Sequence, residues 1–171
     1  MRKNILLTGE PKTGKTTLLK RIIQDFKSCG GFYTEEILNG NKRTGFKIKT
    51  TEGREGILAK KGYRSKFRLG KYGINLKALE EIGVNAVMSA LSDKKIVVID
   101  EIGRMELFSK KFKDLVLKVL NSDKILVGVI HRANLGFLND IRSRQDTEIF
   151  EVNLGNHEQI LKKINSMAII K

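Results

Sequence analysis

The chain has 171 residues, 40% hydrophobic and 30% charged, which suits one soluble domain, and no apolar run approaches the ~20 residues of a membrane span. Its single cysteine, Cys29, excludes an intrachain disulfide or a cysteine-built metal site, and the apolar stretch after Met1-Arg2-Lys3 is too short for a secretion signal, so a cytoplasmic chain is expected. The net charge of +14 is uneven: residues 41–72 hold eleven Lys or Arg against Glu52 and Glu55, so +9 of it falls there.

The first predicted element is the strand Asn4-Ile5-Leu6-Leu7-Thr8, and the loop behind it reads Gly9-Glu10-Pro11-Lys12-Thr13-Gly14-Lys15-Thr16-Thr17. Gly9, Gly14, Lys15 and Thr16 stand in the register of a phosphate-binding loop, in the strand-to-helix context it requires, with Pro11 stiffening the turn. Leu18, Leu19, Ile22, Ile23 and Phe26 then recur at helical spacing, with Gly30-Gly31 as the stop and Cys29 as a small residue near that end. Short β-prone runs follow at 32–38, 44–51 and 56–60, parted by the turn sequences Asn39-Gly40-Asn41 and Glu52-Gly53-Arg54. They predict an antiparallel insertion over about 32–60 that carries most of the excess positive charge.

Asn75 caps a helix with Leu76, Leu79 and Ile82 on one face; Gly83 breaks it, and Val87, Met88 and Leu91 form a second set. Ile96-Val97-Val98-Ile99-Asp100 is apolar up to a final acid, the pattern of a strand buried on both faces of a parallel sheet. Beyond it a helix near 112–120, a strand at 125–130, a helix near 135–141, a strand at 147–152 and a helix near 158–169 alternate. Such alternation implies right-handed crossovers and a doubly wound α/β fold: one domain over 1–171, with a mostly parallel central sheet and helices on both faces.

A triphosphate needs many donors and little bulk around it. Gly9 and Gly14 let backbone N–H groups curl inward, the following helix adds its positive dipole end, Lys15 reaches the outer phosphates, and the Thr16 hydroxyl suits a bridging magnesium ion. Asp100, at the end of a buried strand adjoining the loop, is the expected second magnesium partner, acting through water, and Glu101 at the same sheet edge is the candidate base for a water in line with the terminal phosphate.

With these residues in place the chain resembles the small thermophilic nucleoside-triphosphatase family, whose vertebrate relative is called cancer-related nucleoside-triphosphatase. The resemblance rests on the phosphate loop, on Gly30-Gly-Phe-Tyr-Thr-Glu-Glu36, Gly56-Ile-Leu-Ala59 and Tyr72-Gly-Ile-Asn75, and on Val98-Ile-Asp-Glu-Ile-Gly-Arg-Met-Glu-Leu107. It implies a P-loop NTPase on a RecA-like variant fold, and magnesium-dependent hydrolysis of nucleoside triphosphates such as ATP and GTP to diphosphates, with loose base preference. It also implies that the loop residues Gly9 to Thr17, together with Val98, Ile99, Asp100, Glu101, Ile102, Gly103, Arg104 and Met105, contact the nucleotide. The family pattern leads one to expect an Asn-Arg pair near the base; this chain has Asn156-His157, which weakens the base contact expected there.

Two other classes share these signals. A small-molecule or polynucleotide kinase would use the same loop with a basic lid, for which His131 to Arg144 offers Arg132, Arg142 and Arg144. A nucleotide-switched nucleic-acid-binding protein would use the basic insertion, but that segment lacks the aromatic ladder of single-strand binders and reads first as a solvated lysine-rich surface. Glu35 and Glu106 lie in the family blocks without a role that follows from their positions. A monomer acting on free triphosphate is the expectation, with no membrane partner and with nucleic acid a possible but less favoured one.

Overall fold

Alternation within β1 (Asn4–Thr8) divides the interior in two: Leu6 enters one core while Ile5 and Leu7 enter the other. The same split runs through β7 (Ile96–Ile102), where Val97 and Ile99 face the first core and Ile96 and Val98 the second, as strands covered on both sides must. The computed structural model describes residues 1–167. On the second core lie α1 (Lys15–Ile23) and α6 (His157–Ser166), which present Leu18, Leu19, Ile22, Ile23, Ile160 and Ile164. On the first lie α3 (Asn85–Asp93), α4 (Lys110–Leu120) and α5 (Gly136–Arg142). The predicted end of the last helix at Ile169 lies outside the described residues.

The other strands are β2 (Cys29–Asn39), β3 (Lys42–Thr50), β4 (Glu55–Lys61), β5 (Arg68–Leu69), β6 (Tyr72–Ile74), β8 (Ile125–Ile130) and β9 (Thr147–Glu151). All nine form one sheet in the order β5-β6-β4-β3-β2-β7-β8-β1-β9. Its parallel half runs from β2 to β9, and its antiparallel half continues from β2 to the β5 edge. The predicted insertion is therefore an extension of the central sheet. It reaches past residue 60 to Ile74, because β6 pairs Ala59 with Ile74 and Lys61 with Tyr72.

Glycine carries two physical meanings, and this chain uses the one that the sequence reading passed over. Gly30 and Gly31 do not stop α1, which ends at Ile23; they lie in β2, and Cys29 opens that strand instead of flanking a helix. Gly31 has φ 140°, and a Cβ there would collide with the Val98 backbone of the adjoining strand. Gly83 does not break its helix either. From α2 (Leu76–Ala78) through a π-helical stretch, Leu79–Val84, the chain runs on into α3, and a Cβ on Gly83 would come 2.6 Å from Ile48 Cδ1. The Asn75 cap is present as expected, its side chain accepting from Ala78 N at 3.1 Å.

β7 does not adjoin β1; β8 lies between them. Asp100 consequently meets the phosphate loop through α1, at the carboxyl edge of the sheet. No helix of the described residues is long and apolar enough to cross a membrane.

Candidate active site

Between β1 and α1 the loop is held by its own backbone. Gly9 has φ 147°, where a Cβ would run into the Val152 carbonyl; Gly14 has φ 82°, where a Cβ would come within 2.7 Å of His157 Cε1. Lys12 takes a left-handed φ of 62°, and Thr13 Oγ1 donates to Glu10 O at 2.8 Å. The first intrahelical bond of α1 runs from Leu18 N to Gly14 O, so the N–H groups of Lys15, Thr16 and Thr17 have no helical partner and no side-chain cap. That is an anion site by construction. Lys15 Nζ lies over the loop, donating to Gly9 O at 3.0 Å and Glu10 O at 2.6 Å. Partial burial lowers its pKa, and Glu101 and Asp100 oppose that shift.

Thr16 and Asp100, 84 positions apart, are joined: Thr16 Oγ1 donates to Asp100 Oδ2 at 2.5 Å. A hydroxyl and a carboxylate converging beside a phosphate loop are the oxygen donors a magnesium ion takes from protein, the rest coming from phosphate and water. Glu101 is the unpaired residue of a register shift in β7, since Asp100 faces Val129 and Ile102 faces Ile130. The irregularity keeps both acids at the site, where strict alternation would send one away. Gly103 leaves the room that the Glu101 carboxylate fills, because a Cβ there would come 2.6 Å from Glu101 Oε1.

Burial raises the Glu101 pKa, with Lys15 pulling it back. Burial also pushes the Asp100 carboxyl up to about 7, against the Thr16 hydrogen bond and with Glu101 adding to it. Glu106 is fully enclosed behind them in the 3-10 turn Glu106–Phe108; burial first, then Glu101, holds its carboxyl well above the usual range, and its Oε2 has no hydrogen-bond partner. A raised folded pKa means that the folded protein binds more protons than the unfolded chain between the two values. Without metal, stability should therefore fall as pH rises from about 4 to about 7, by on the order of a few kcal/mol from Asp100 alone. Magnesium, by stabilising the ionised carboxylate, should flatten that decline. Melting temperatures measured in chelator and in magnesium across this range check it; a flat metal-free profile would refute the assignment.

A cavity of about 950 Å³ opens beside Lys15 and Glu101. Its loop side includes Gly9, Glu10 and Pro11, with Arg104, Met105 and His131 along the sheet edge. Its far wall is the antiparallel extension, which contributes Arg43, Phe46, Leu69 and Lys71. Thus the basic segment is not only solvated surface: part of it faces the phosphate loop. A separate cavity of about 170 Å³ between Thr50–Arg54 and α3 shares no residue with this site.

Other expected site residues fall elsewhere. Val98, Ile99 and Ile102 are wholly buried in the two cores and serve as framework, so their side chains do not reach a nucleotide. Arg142 and Arg144 do not form a lid. Arg142 donates to the carbonyls of His131 and Ala133, while Arg144 pairs with Asp146 at 2.8 Å and donates to Leu120 O. Only Arg132 of the three reaches the loop, by an ion pair to Glu10. Glu35 bridges Lys20 and Lys47 at 3.1 and 3.4 Å. Asn156 accepts from Asn153 N at 2.9 Å and donates to Glu151 O at 2.8 Å, and His157 Nε2 lies 2.7 Å from Thr13 O. His157 thereby braces the back of the phosphate loop, while Asn156 ties the turn before α6 to the end of β9.

His131 is the site residue that sequence reasoning passed over. It follows β8, the strand between the two that carry the motifs, and its Nδ1 accepts from Ala133 N at 3.0 Å. Burial, then Arg104 and Arg142, lowers its pKa, so the ring is neutral near pH 7 with its proton on Nε2. Its place at the carboxyl end of an apolar strand was the available signal.

A family model described as NTPase matches residues 4–165. Nucleoside-triphosphatase THEP1 of Thermotoga maritima is 46% identical over 163 residues, covering 95% of this chain and 94% of that one. The cancer-related nucleoside-triphosphatase homolog of Mus musculus is 35% identical over 181 aligned positions, covering 96% and 95%. The crystal structure of THEP1 from Aquifex aeolicus superposes with a TM-score of 0.86 at 36% identity, covering 98% of this chain and 99% of that one. The solution structure of a human cancer-related nucleoside triphosphatase gives 0.80 at 33% identity, covering 97% and 96%.

Proposed function

The chain belongs to the NTPase family and is a nucleoside-triphosphate hydrolase, and from that premise we propose that Lys15, Thr16, Asp100 and Glu101 carry the reaction with magnesium. The observation that supports this most is the 2.5 Å contact between Thr16 and Asp100 beside Lys15, with Glu101 in the irregular turn of β7 directly after. Backbone N–H groups of the loop and of the start of α1 hold the phosphates, and Lys15 offsets charge on the outer two. Magnesium, when bound, would be held by Thr16 and Asp100 and would neutralise charge between those phosphates. Glu101 takes a proton from water as its oxygen bonds to the terminal phosphorus; the bond to the β,γ-bridging oxygen breaks and the diphosphate leaves with the electron pair. A carboxylate whose burial raises its pKa is a better base than a solvated one. Burial, then Glu101, raises the pKa of Glu106 behind it, which disfavours a further negative charge there. Arg132 and the Nε2–H of His131 are donors toward charge that develops on the terminal phosphoryl oxygens.

The reading extends to a single domain over residues 1–171, a cytoplasmic monomer with loose base preference and no membrane partner, with nucleic acid the less favoured partner. Among the described residues, the exposed apolar side chains include Leu38 on β2, Ile57 on β4, Met88 on α3 and Leu117 on α4. Purified protein incubated with magnesium and each common triphosphate should release phosphate from all of them; no release above the no-enzyme control would refute the proposal. Thr16→Ala and Asp100→Asn should each raise the magnesium concentration for half-maximal rate at least about tenfold, the scale of removing one good ligand interaction. An unchanged metal titration in both would show that the ion sits elsewhere. Reversing Lys60, Lys61, Arg64 and Lys66 to Glu should leave hydrolysis within about threefold, since a screened charge at the surface contributes little. Micromolar RNA binding by the parent at physiological salt, lost in the reversed protein, would instead favour a nucleic-acid partner for the basic segment.

A further inference from the structure

We propose that Lys20 and Glu35 are positioning residues for magnesium, their ion pair clamping α1 to β2 beside Asp100 and so fixing the separation of Thr16 and Asp100. The inference rests on the reading of those two as the partners of the ion.

The need for a clamp follows from where the two partners come from. Thr16 stands on α1 and Asp100 on β7, 84 positions away. Their spacing is set by how the helix sits on the sheet. The hydrogen bond between them cannot set it once the ion arrives, because the oxygens that make it are the ones the ion takes. A second tie at the same level is required.

β2 supplies it. Phe32 pairs with Ile99 of β7 and both enter the first core, so the next residues, Tyr33 and Asp100, lie side by side on the face beneath α1. Lys20 follows Thr16 by one helical turn, on the same side of α1. Its Nζ lies 5.0 Å from the Tyr33 ring centroid and 3.1 Å from Glu35 Oε1. Glu35 is two residues past Tyr33, on the same face of β2. Its other oxygen meets Lys47 of β3 at 3.4 Å, and Lys47 meets Glu55 of β4 at 3.4 Å. The clamp therefore ties the helix that carries Thr16 to three strands of the sheet. An isolated pair this exposed contributes little, but here the carboxylate is held at both oxygens and the ammonium against a ring. None of these side chains lines the cavity beside Lys15 and Glu101.

Charge and position predict opposite signs at Lys20. A cation beside Asp100 repels a divalent ion, so by charge alone its removal tightens magnesium. As half of a clamp, its removal lets α1 shift against Asp100 and weakens magnesium.

The test is calorimetric titration with ADP, in magnesium and in chelator, at about pH 8.5, above the value of about 7 to which burial pushes the Asp100 carboxyl. The ratio of the two affinities measures how well the ion is held. Lys20→Met keeps the stem over Tyr33 and removes the charge, and Glu35→Gln keeps the size of its partner. Each should cut that ratio roughly threefold to fivefold, the scale of one such pair, with affinity in chelator within about twofold of the parent. Lys20→Arg, which can remake the ion pair, should keep the parent's ratio. An unchanged ratio in either neutral variant, or a larger one in Lys20→Met, would overturn the clamp. Equal losses with and without magnesium, the mark of a general packing defect, would overturn it as well. A parent whose ADP affinity is the same in both conditions would remove the magnesium reading and this inference together.

Discussion

Glu101→Gln is expected to keep triphosphate binding and to lose turnover by roughly two orders of magnitude or more, the scale of a general-base contribution. The amide fills the same space over Gly103, so the local structure should hold. It carries no charge and cannot take a proton from water. Because the native carboxylate is buried near Asp100 and Lys15, its neutralisation also removes a repulsion toward the bound phosphates, and affinity should stay level or rise. The pH profile provides a second measure. Hydrolysis needs Glu101 ionised, and burial raises its pKa, so the acid limb of the rate should lie above the ordinary carboxylate range and should disappear from the residual rate of the variant. Equal losses of affinity and rate, with the acid limb intact, would make Glu101 a structural or metal-shell residue.

Half of the site was legible in the sequence because its signals are local. The phosphate loop places its backbone donors and a cation within one short stretch of chain, and no partner from elsewhere is needed to recognise it. The acid after Ile96-Val97-Val98-Ile99 is equally local, since a buried strand announces both its position in the sheet and the edge at which it ends. What escaped depends on pairing between distant residues. The cavity wall exists because β4 takes Tyr72 and Ile74 as partners and Arg43 reaches the Tyr72 hydroxyl 29 positions away, pairings that leave no periodic trace. Gly31 and Gly83 were legible as glycines but not as the reason for them. A residue without a Cβ serves a helix stop and a close approach equally well, and only the Val98 carbonyl in one case and the Ile48 side chain in the other decide between those uses. His131 went unnoticed because one histidine after a strand has no spacing to read.

Lys15→Ala should bring hydrolysis to below about 1% of the parent while leaving the fold intact, since removal of one preorganised donor at developing negative charge costs about 10²–10³ in rate. The expected loss is larger than that of an ordinary surface lysine for a reason visible at the loop. Lys15 Nζ is within hydrogen-bond distance of Gly9 O and Glu10 O, so its position is fixed by the same backbone that would curl around the phosphates. Partial burial keeps part of its charge unscreened, and Glu101 and Asp100 hold it charged against that burial. Stability should change little. The ammonium is only part-buried, so water can reach the carbonyls it leaves, and the melting temperature should stay within a few degrees, an effect of about 1 kcal/mol or less. Lys15→Arg distinguishes charge from shape. Its planar guanidinium is longer and forked, so it does not place a single donor where the ammonium lies over Gly9 O and Glu10 O. Arginine should therefore recover triphosphate affinity in part, through charge, but not turnover, which needs a point donor at one place. Near-parental turnover in Lys15→Ala would remove the phosphate loop from the reaction. Full recovery in Lys15→Arg would reduce its role to charge alone.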